Sequence, residues 1–320
     1  MESVTTREMP LVSIIIVHCK GRQLLVNCLE SVFEQAYRAY EIILIDNGSM
    51  DGSVDFVRQD YPQIKIIPSQ SNIGFTRAVN MGIKQSQGTF VALLNDDAIA
   101  DKGWLSSLVE AILKDERIGS CASKQMYFFK PDFFEAAGIL MHRGGFPEGI
   151  GHNEQDTGQF NQEREVFAAH GASGFYRRDM LEAIGMLDSD FFIYNDEIDL
   201  AFRAQLAGWK CFYVPNAVVY HMGGQTWAAR DKKLLVYFTE RNRIFMIVKN
   251  YPLKMILYYL PYLLKYELDI WVRFFSRLEA APLLARLAVF KYLPRLLKKR
   301  REIQKKRLIS DQGFKDFFIR

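Results

Sequence analysis

Short aliphatic runs recur along the first hundred residues, separated by stretches whose apolar positions fall at helical spacing. Residues 11–17 (LVSIIIV) and 41–45 (EIILI) are continuous enough to form buried strands, and residues 24–34 between them repeat with a helical period. Further runs at 64–67 and 90–94 enclose a helical pattern over 75–85, which extends the strand–helix alternation. That order predicts a doubly wound α/β domain on a mixed, mainly parallel sheet. From 119 to 165 glycine and proline punctuate the chain, and the pattern predicts only a mixed sheet edge with a mobile loop around 144–151. Apolar spacing then predicts helices at 181–184 and 198–206, the latter closed by Gly208, and strands at 211–214 and 217–220.

In such sheets ligands bind beyond the carboxyl ends of the strands, so the residues after each run carry the candidate chemistry. The first strand ends at Val17-His18, and the following Cys19-Lys20-Gly21 lacks the glycine pattern of a dinucleotide site. After the second strand come Asp46-Asn47-Gly48-Ser49; after residues 90–94 come Asn95-Asp96-Asp97. These last supply hard oxygen ligands suited to Mg²⁺ or Mn²⁺ on a diphosphate, although a turn or helix cap uses the same residue types. Asp196, Glu197 and Asp199 crowd three acids into the start of a helix. The helix dipole explains part of that crowding, and a cleft-facing carboxylate with a raised pKa, acting as general base, explains the rest. His221 precedes Gly223-Gly224, where an imidazole suits a divalent ion; a hydrogen-bonded surface histidine is the plainer alternative.

Charge sets the tail apart. Residues 1–230 carry a net −9 and residues 231–320 a net +13, which predicts two regions facing different partners. Residues 255–264 (MILYYLPYLL) are bounded by Lys254 and Lys265, interrupted by Pro261, and too short to span a bilayer. Residues 291–307 add nine cations against Glu302 alone. Basic amphipathic helices lying on an anionic membrane surface fit this pattern; packing on the catalytic region or on another subunit is the alternative. No nucleic-acid recognition module is visible. Four cysteines without CxxC spacing read as buried thiols in a reducing cytoplasm, and the N-terminus lacks the basic flank of a signal peptide. The expected location is the cytoplasm, peripheral on the inner face of the cell membrane.

The segments PLVSIIIV, IILIDNGSMDGS, SNIGFTRAVNMGI, FVALLNDD, GASGFYRRDMLEAIGMLDSDFFIYNDEIDLAFRAQLAGW and VVYHMGG occur in that order. Together they resemble the family 2 glycosyltransferases of the GT-A fold, most of all the rhamnosyltransferase-like branch, over residues 10–227. The resemblance implies inverting transfer of a sugar from a nucleotide-diphosphate donor to a saccharide acceptor, including one carried on a polyprenyl diphosphate. It implies Asp97 as a direct metal ligand with His221 completing the site. Asp96 and Asn95 would meet the donor ribose and sugar, and Val17, His18, Asp46 and Asn47 would surround the base. Glu197 occupies the position of the catalytic base, with Asp196 competing because the usual Glu-Asp order is reversed. The expected donor is dTDP-rhamnose, in bacterial surface polysaccharide synthesis. A catalytically silent membrane adaptor of the same fold is the alternative, and the intact acids argue against it. Asp199 and Arg203, four apart on one helix, are expected to pair structurally.

Overall fold

The computed structural model describes residues 9–223, 231–277, 279–310 and 317–319. The chain opens as β1 (Val12–His18), α1 (Arg22–Phe33), β2 (Tyr40–Asn47), α2 (Ser53–Asp60), β3 (Lys65–Ser69), α3 (Phe75–Gln85) and β4 (Phe90–Leu93). β1 lies between β2 and β4, and all of these pairings are parallel, as is that of β2 with β3. Every core residue of β1 is buried on one face or the other. Ile14 and Ile16 join Leu25 and Leu29 of α1, while Ile15 joins Val79 and Ile83 of α3. That two-sided burial is why the strands read as unbroken apolar runs.

The chain continues through β5 (Ala98–Ala100), α4 (Trp104–Ile112), β6 (Ile118–Tyr127), β7 (Lys130–Ala137), β8 (Ile139–His142), β9 (Pro147–Gly149), β10 (Arg164–Val166), β11 (Gly174–Arg177), α5 (Arg178–Ile184), α6 (Asp196–Leu206) and β12 (Lys210–His221). The main sheet runs β10-β12-β6-β11-β4-β1-β2-β3, with β5 against β12 and β7 against β6. β11 is antiparallel to both its neighbours, β4 and β6, so the sheet is mixed as expected.

Residues 119–165 depart from the expectation of an irregular stretch. β6 is a ten-residue strand, and the region of the expected mobile loop folds as β9, antiparallel to β8 with Leu140 opposite Glu148. The apolar pattern of β6 is broken by buried Ser120, Ser123 and Gln125. Hydrogen bonds within the protein satisfy two of these: Trp104 Nε1 donates to Ser123 Oγ at 2.9 Å, and Gln125 Nε2 donates to Glu135 Oε2 at 2.7 Å. The expected strands at 211–214 and 217–220 are one strand, β12, whose register shifts between Val214 and Val218. α6 begins at Asp196 rather than Ile198, because Asn195 takes a left-handed conformation (φ 60°) and starts the helix two residues sooner. α2 and α4 were not foreseen.

Three helices follow: α7 (Lys232–Asn250), α8 (Leu253–Arg277) and α9 (Ala280–Lys305). Pro261 and Pro294 lie inside α8 and α9, so Pro261 does not interrupt the helix. A short strand, β13 (Phe318–Ile319), joins β8 and β9 in a second sheet. The helices share a core with the sheet domain: Ile198, Phe202 and Leu206 of α6 pack with Phe245, Met246, Met255, Tyr259, Val289 and Leu296. The expected boundary at residue 230, Gly224 and the end of the family resemblance at residue 227 lie outside the described residues. No helix among the described residues is long and apolar enough to cross a membrane.

Candidate active site

Sheet topology brings Asp97 and His221 together. β5 pairs with the end of β12 so that His221 sits opposite Ala98, and Met222 N donates to Asp97 O at 3.0 Å. His221 Nε2 then lies 3.2 Å from Asp97 Oδ1. The separation is that of an ion pair without hydrogen-bond alignment. Both carboxylate oxygens of Asp97 and Nε2 of His221 are buried yet lack a hydrogen-bond partner. Orphaned buried groups of this kind are costly, and one oxygen-preferring divalent cation would satisfy all three. Among the described residues no cluster of three such side chains has metal-binding geometry, so the pair fits a cation that draws its other ligands from substrate or water.

The other nitrogen of His221, Nδ1, is 2.8 Å from Glu135 Oε2. Burial opposes a charge on His221, but Asp97 and Glu135 on either side outweigh it and raise its pKa to about 10. Burial would likewise raise Glu135, yet His221 and His170 hold it down at about 2. Glu135 was missed in the sequence because it lies in the stretch 119–165 where no elements could be read, and His170, just beyond it, stands in no readable strand or helix. The rings of His170 and His221 are 6.1 Å apart.

The carboxyl ends of β1 and β2 hold the remaining donor-side candidates. His18 is opposite Asp46 in the parallel register, and Val17 precedes it, partly open. His18 is fully buried and both its nitrogens are engaged, Nδ1 with Asp96 Oδ2 and Nε2 with Ser53 Oγ, each at 2.6 Å. Burial raises the Asp96 carboxyl, and the bond to His18 opposes that rise. Asp46 Oδ1 accepts from Ser49 N at 2.8 Å, shaping the turn after β2. Asn47 ties that turn to the start of α3: its Nδ2 donates to Asn72 Oδ1 at 3.2 Å and its Oδ1 accepts from Ile73 N at 2.9 Å. Asn95 N donates to Ala172 O at 2.9 Å, linking the Asn95-Asp96-Asp97 segment to the loop before β11.

That same loop reaches the base candidates. A Cβ on Gly171 would stand 3.4 Å from Glu197 Cδ, in ordinary contact, so the Glu197 side chain lies directly beside Gly171. Burial raises Glu197 to about 7, against donation from the backbone N–H groups of Glu197 and Ile198. Burial, with the Glu197 charge adding to it, pushes Asp196 well above the usual carboxylate range. Asp199 has a different occupation. It is fully buried and paired with Arg203, whose Nε donates at 3.0 Å, and it also accepts from Lys249 and Asn250 at 2.7 Å each.

The loop entering α6 is bent sharply. Phe192, Tyr194 and Asn195 all have φ between 60° and 68°, a region that side-chain-bearing residues seldom adopt. α7 holds it there: Asn242 Nδ2 donates to the carbonyls of Phe191, Ile193 and Tyr194 at 2.7–2.9 Å, and Arg241 Nη2 donates to those of Asp190 and Phe191. Asn195 Nδ2 in turn donates to Thr239 O at 3.3 Å. The orientation of α6 therefore depends on α7, a helix from the basic tail.

Comparison with known proteins bears on the family and the fold. The chain is 28% identical over 237 residues to the N-acetylglucosaminyl-diphospho-decaprenol L-rhamnosyltransferase of Mycobacterium tuberculosis, covering 64% of this chain and 76% of that protein. Its fold matches the structure of GalNAc-T7 with UDP, GalNAc and Mn²⁺ at a TM-score of 0.61 and 16% identity, over 76% of this chain and 48% of that one. It also matches the mannosyltransferase PcManGT from Pyrobaculum calidifontis with GDP-Man and Mn²⁺ at a TM-score of 0.56 and 15% identity, over 94% of this chain and 86% of that one. These likenesses identify the fold as GT-A. The family model described as Glycosyl transferase family 2 matches residues 13–185, more than half of the chain, and the protein belongs to that family.

Proposed function

We propose that the protein is an inverting, metal-dependent glycosyltransferase that moves a hexose from a nucleoside diphosphate to a saccharide hydroxyl. The observation that carries this reading is the buried Asp97 carboxylate, facing His221 without a hydrogen bond, with the Glu197 carboxylate beside Gly171 of the adjoining loop. Asp97 and His221 would hold Mg²⁺ or Mn²⁺, and such an ion supplies charge to stabilise the departing diphosphate. Asp96, held by His18, and the turn at Asp46 and Asn47 form the wall on which the nucleoside rests, with Val17 at its edge and Asn95 toward the sugar. Glu197, with a pKa near neutrality, removes the proton of the attacking hydroxyl. Its fixed backbone orients the acceptor for in-line attack.

The relative from Mycobacterium tuberculosis supports dTDP-rhamnose as the first donor to test, and a sugar on a polyprenyl diphosphate as the acceptor, in surface polysaccharide synthesis. The tail supports action at an anionic membrane from the cytoplasmic side. Of the 18 large apolar residues exposed among the described residues, 13 lie on α8 and α9, including Leu257, Leu264, Leu268, Phe275, Leu287 and Phe290. Exposed Lys254, Lys265, Lys291 and Lys298 alternate with them. Apolar side chains entering the acyl boundary and cations at the headgroups are the two contributions that hold such helices on a bilayer. On this reading residues 1–230 carry the transfer chemistry and residues 231–320 the membrane contact.

Calorimetric titration with a panel of nucleotide sugars, with Mn²⁺ or Mg²⁺ and then with chelator, tests the activity. Metal-dependent binding of one donor, lost in Asp97→Ala, is the expected result. A folded protein that binds no donor under either condition would favour the silent adaptor.

A further inference from the structure

A groove of about 1230 Å³ opens between the first half of α7, the end of α8 and the start of α9. It exceeds the ~300–1,000 Å³ of an ordinary small-molecule pocket, and its walls are mainly apolar, built from Leu234, Leu235, Val236, Ile270, Pro282 and Leu284. Lys232, Lys233 and Arg273 also line it, and none of them forms an ion pair among the described residues. Two acids are present. Glu240 is already neutralised, accepting from Tyr266 at 2.7 Å and from Arg286 at 3.1 Å, which leaves Glu279 against three cations. The combination of a long apolar trough and free cations complements an amphiphile with an apolar chain and an anionic head.

Two connections narrow the occupant. Leu284 is a wall of the groove and is also 53% exposed, one helical turn from exposed Leu287 on the apolar face of α9. The groove is thus continuous with the surface that would meet a bilayer. At its other side Thr239 lines the groove while its carbonyl holds Asn195, the residue immediately before Asp196 and Glu197. An amphiphile lying in the groove would reach the lipid face at Leu284 and the neighbourhood of Asn195 at Thr239.

We infer that this groove binds the isoprenoid chain of a lipid diphosphate acceptor, with Lys232, Lys233 and Arg273 receiving the diphosphate. The inference rests on the transferase reading, since an acceptor site has meaning only beside a donor site. Burial of each isoprenoid methyl or methylene group adds to affinity, so binding increases with chain length. The cations add a salt-sensitive contribution that depends on the diphosphate.

The test is calorimetric titration of the full chain with geranylgeranyl diphosphate, farnesyl diphosphate and the uncharged alcohol geranylgeraniol, with nucleotide-sugar binding measured on the same samples. Wild type is expected to bind the C20 diphosphate more tightly than the C15 one. Ala280→Trp, which fills the groove from an exposed position, should weaken both by tenfold or more. Arg273→Glu should weaken the diphosphates by about tenfold and leave the alcohol unchanged. Nucleotide-sugar binding should be unaltered in both variants. The inference is overturned if wild type binds nucleotide sugar but no isoprenoid diphosphate, if both variants bind like wild type, or if phosphatidylglycerol displaces the probe at matching concentrations, which would make the groove an acyl-chain site. Isoprenoid binding without any nucleotide-sugar binding would sink the transferase reading and the acceptor role with it, leaving the groove as an isoprenoid site of another purpose.

Discussion

Glu135 Oε2 lies 2.8 Å from His221 Nδ1, across two strands and 86 residues of chain. The contact fixes the imidazole so that Nε2 faces Asp97, and an anionic partner on Nδ1 strengthens Nε2 as a ligand. Glu135→Ala is therefore expected to weaken Mn²⁺ binding by about 10–100-fold, with Glu135→Gln keeping part of the affinity through its remaining hydrogen bond. Titration of Mn²⁺ in the presence of nucleoside diphosphate measures this, and equal affinities in all three proteins would remove Glu135 from the site.

Metal binding should also release a proton. His221 is held protonated up to about pH 10 when Asp97 and Glu135 are its only partners, and a cation on Nε2 must displace that proton. Metal affinity is expected to rise with pH between 6 and 9. Calorimetry in buffers of different ionisation enthalpy should count about one proton per ion, and none in His221→Asn.

The base sets a second pH dependence. Glu197, raised to about 7, is mostly protonated below that pH and available to accept a proton above it. The kcat/KM profile should climb through an apparent value near 7 that belongs to the Asp196–Glu197 pair rather than to one member. Glu197→Gln should keep donor binding and lose transfer. Transfer retained in that variant would assign the base to Asp196.

Asn242 should matter as much to rate as to stability. Its Nδ2 serves three carbonyls of the bent loop, and Asn242→Leu leaves them buried without that donor. A loss of about 1–3 kcal/mol is expected, read by urea unfolding. The variant's kcat should fall while nucleotide affinity holds, because the loop orients α6 and not the nucleoside wall.

Lys249 is a buried cation, 1% exposed, set against Asp188 and Asp199. Lys249→Met leaves those carboxylates short of a partner, and a loss of about 3–5 kcal/mol is expected at pH 7. Burial alone would raise Asp188, but Lys249 and Lys299 hold it well below the usual range. A folded pKa below the unfolded one contributes stability that is complete above the unfolded value of about 4 and is lost as pH falls. The urea midpoint of wild type should drop below pH 4, and that drop should be shallower in Lys249→Met.

The parallel half of the sheet was legible in the sequence because β1, β2 and β4 are buried on both faces, and α3 follows its apolar spacing over Phe75–Gln85. The candidate acids were legible for the same reason, since each follows a readable strand or opens a readable helix. Glu135 of β7 was not, because the neighbouring β6 carries buried Ser123 and Gln125 as hydrogen-bonded polar groups, and a polar residue inside a strand looks like a loop residue when its partner is unknown. The role of α7 was hidden too. Arg241, Asn242 and Lys249 lie in the region read only as basic, where charge balance does not tell which residues turn inward, and the fold buries all three.

Some of the charge on the chain's acidic and basic parts is paired internally. Asp188, Asp190 and Asp199 take their counter-ions from Lys249, Arg295 and Lys299, which follow by 50 to 111 residues. During synthesis residues 188–199 leave the ribosome before these cations do. The acids beside Asp196 and Glu197 are thus made before the cations that pair with them, and their ion pairs are complete only once Lys299 of α9 is in place. A nascent chain halted before Lys299 would carry every candidate catalytic side chain on a floor that had not yet closed.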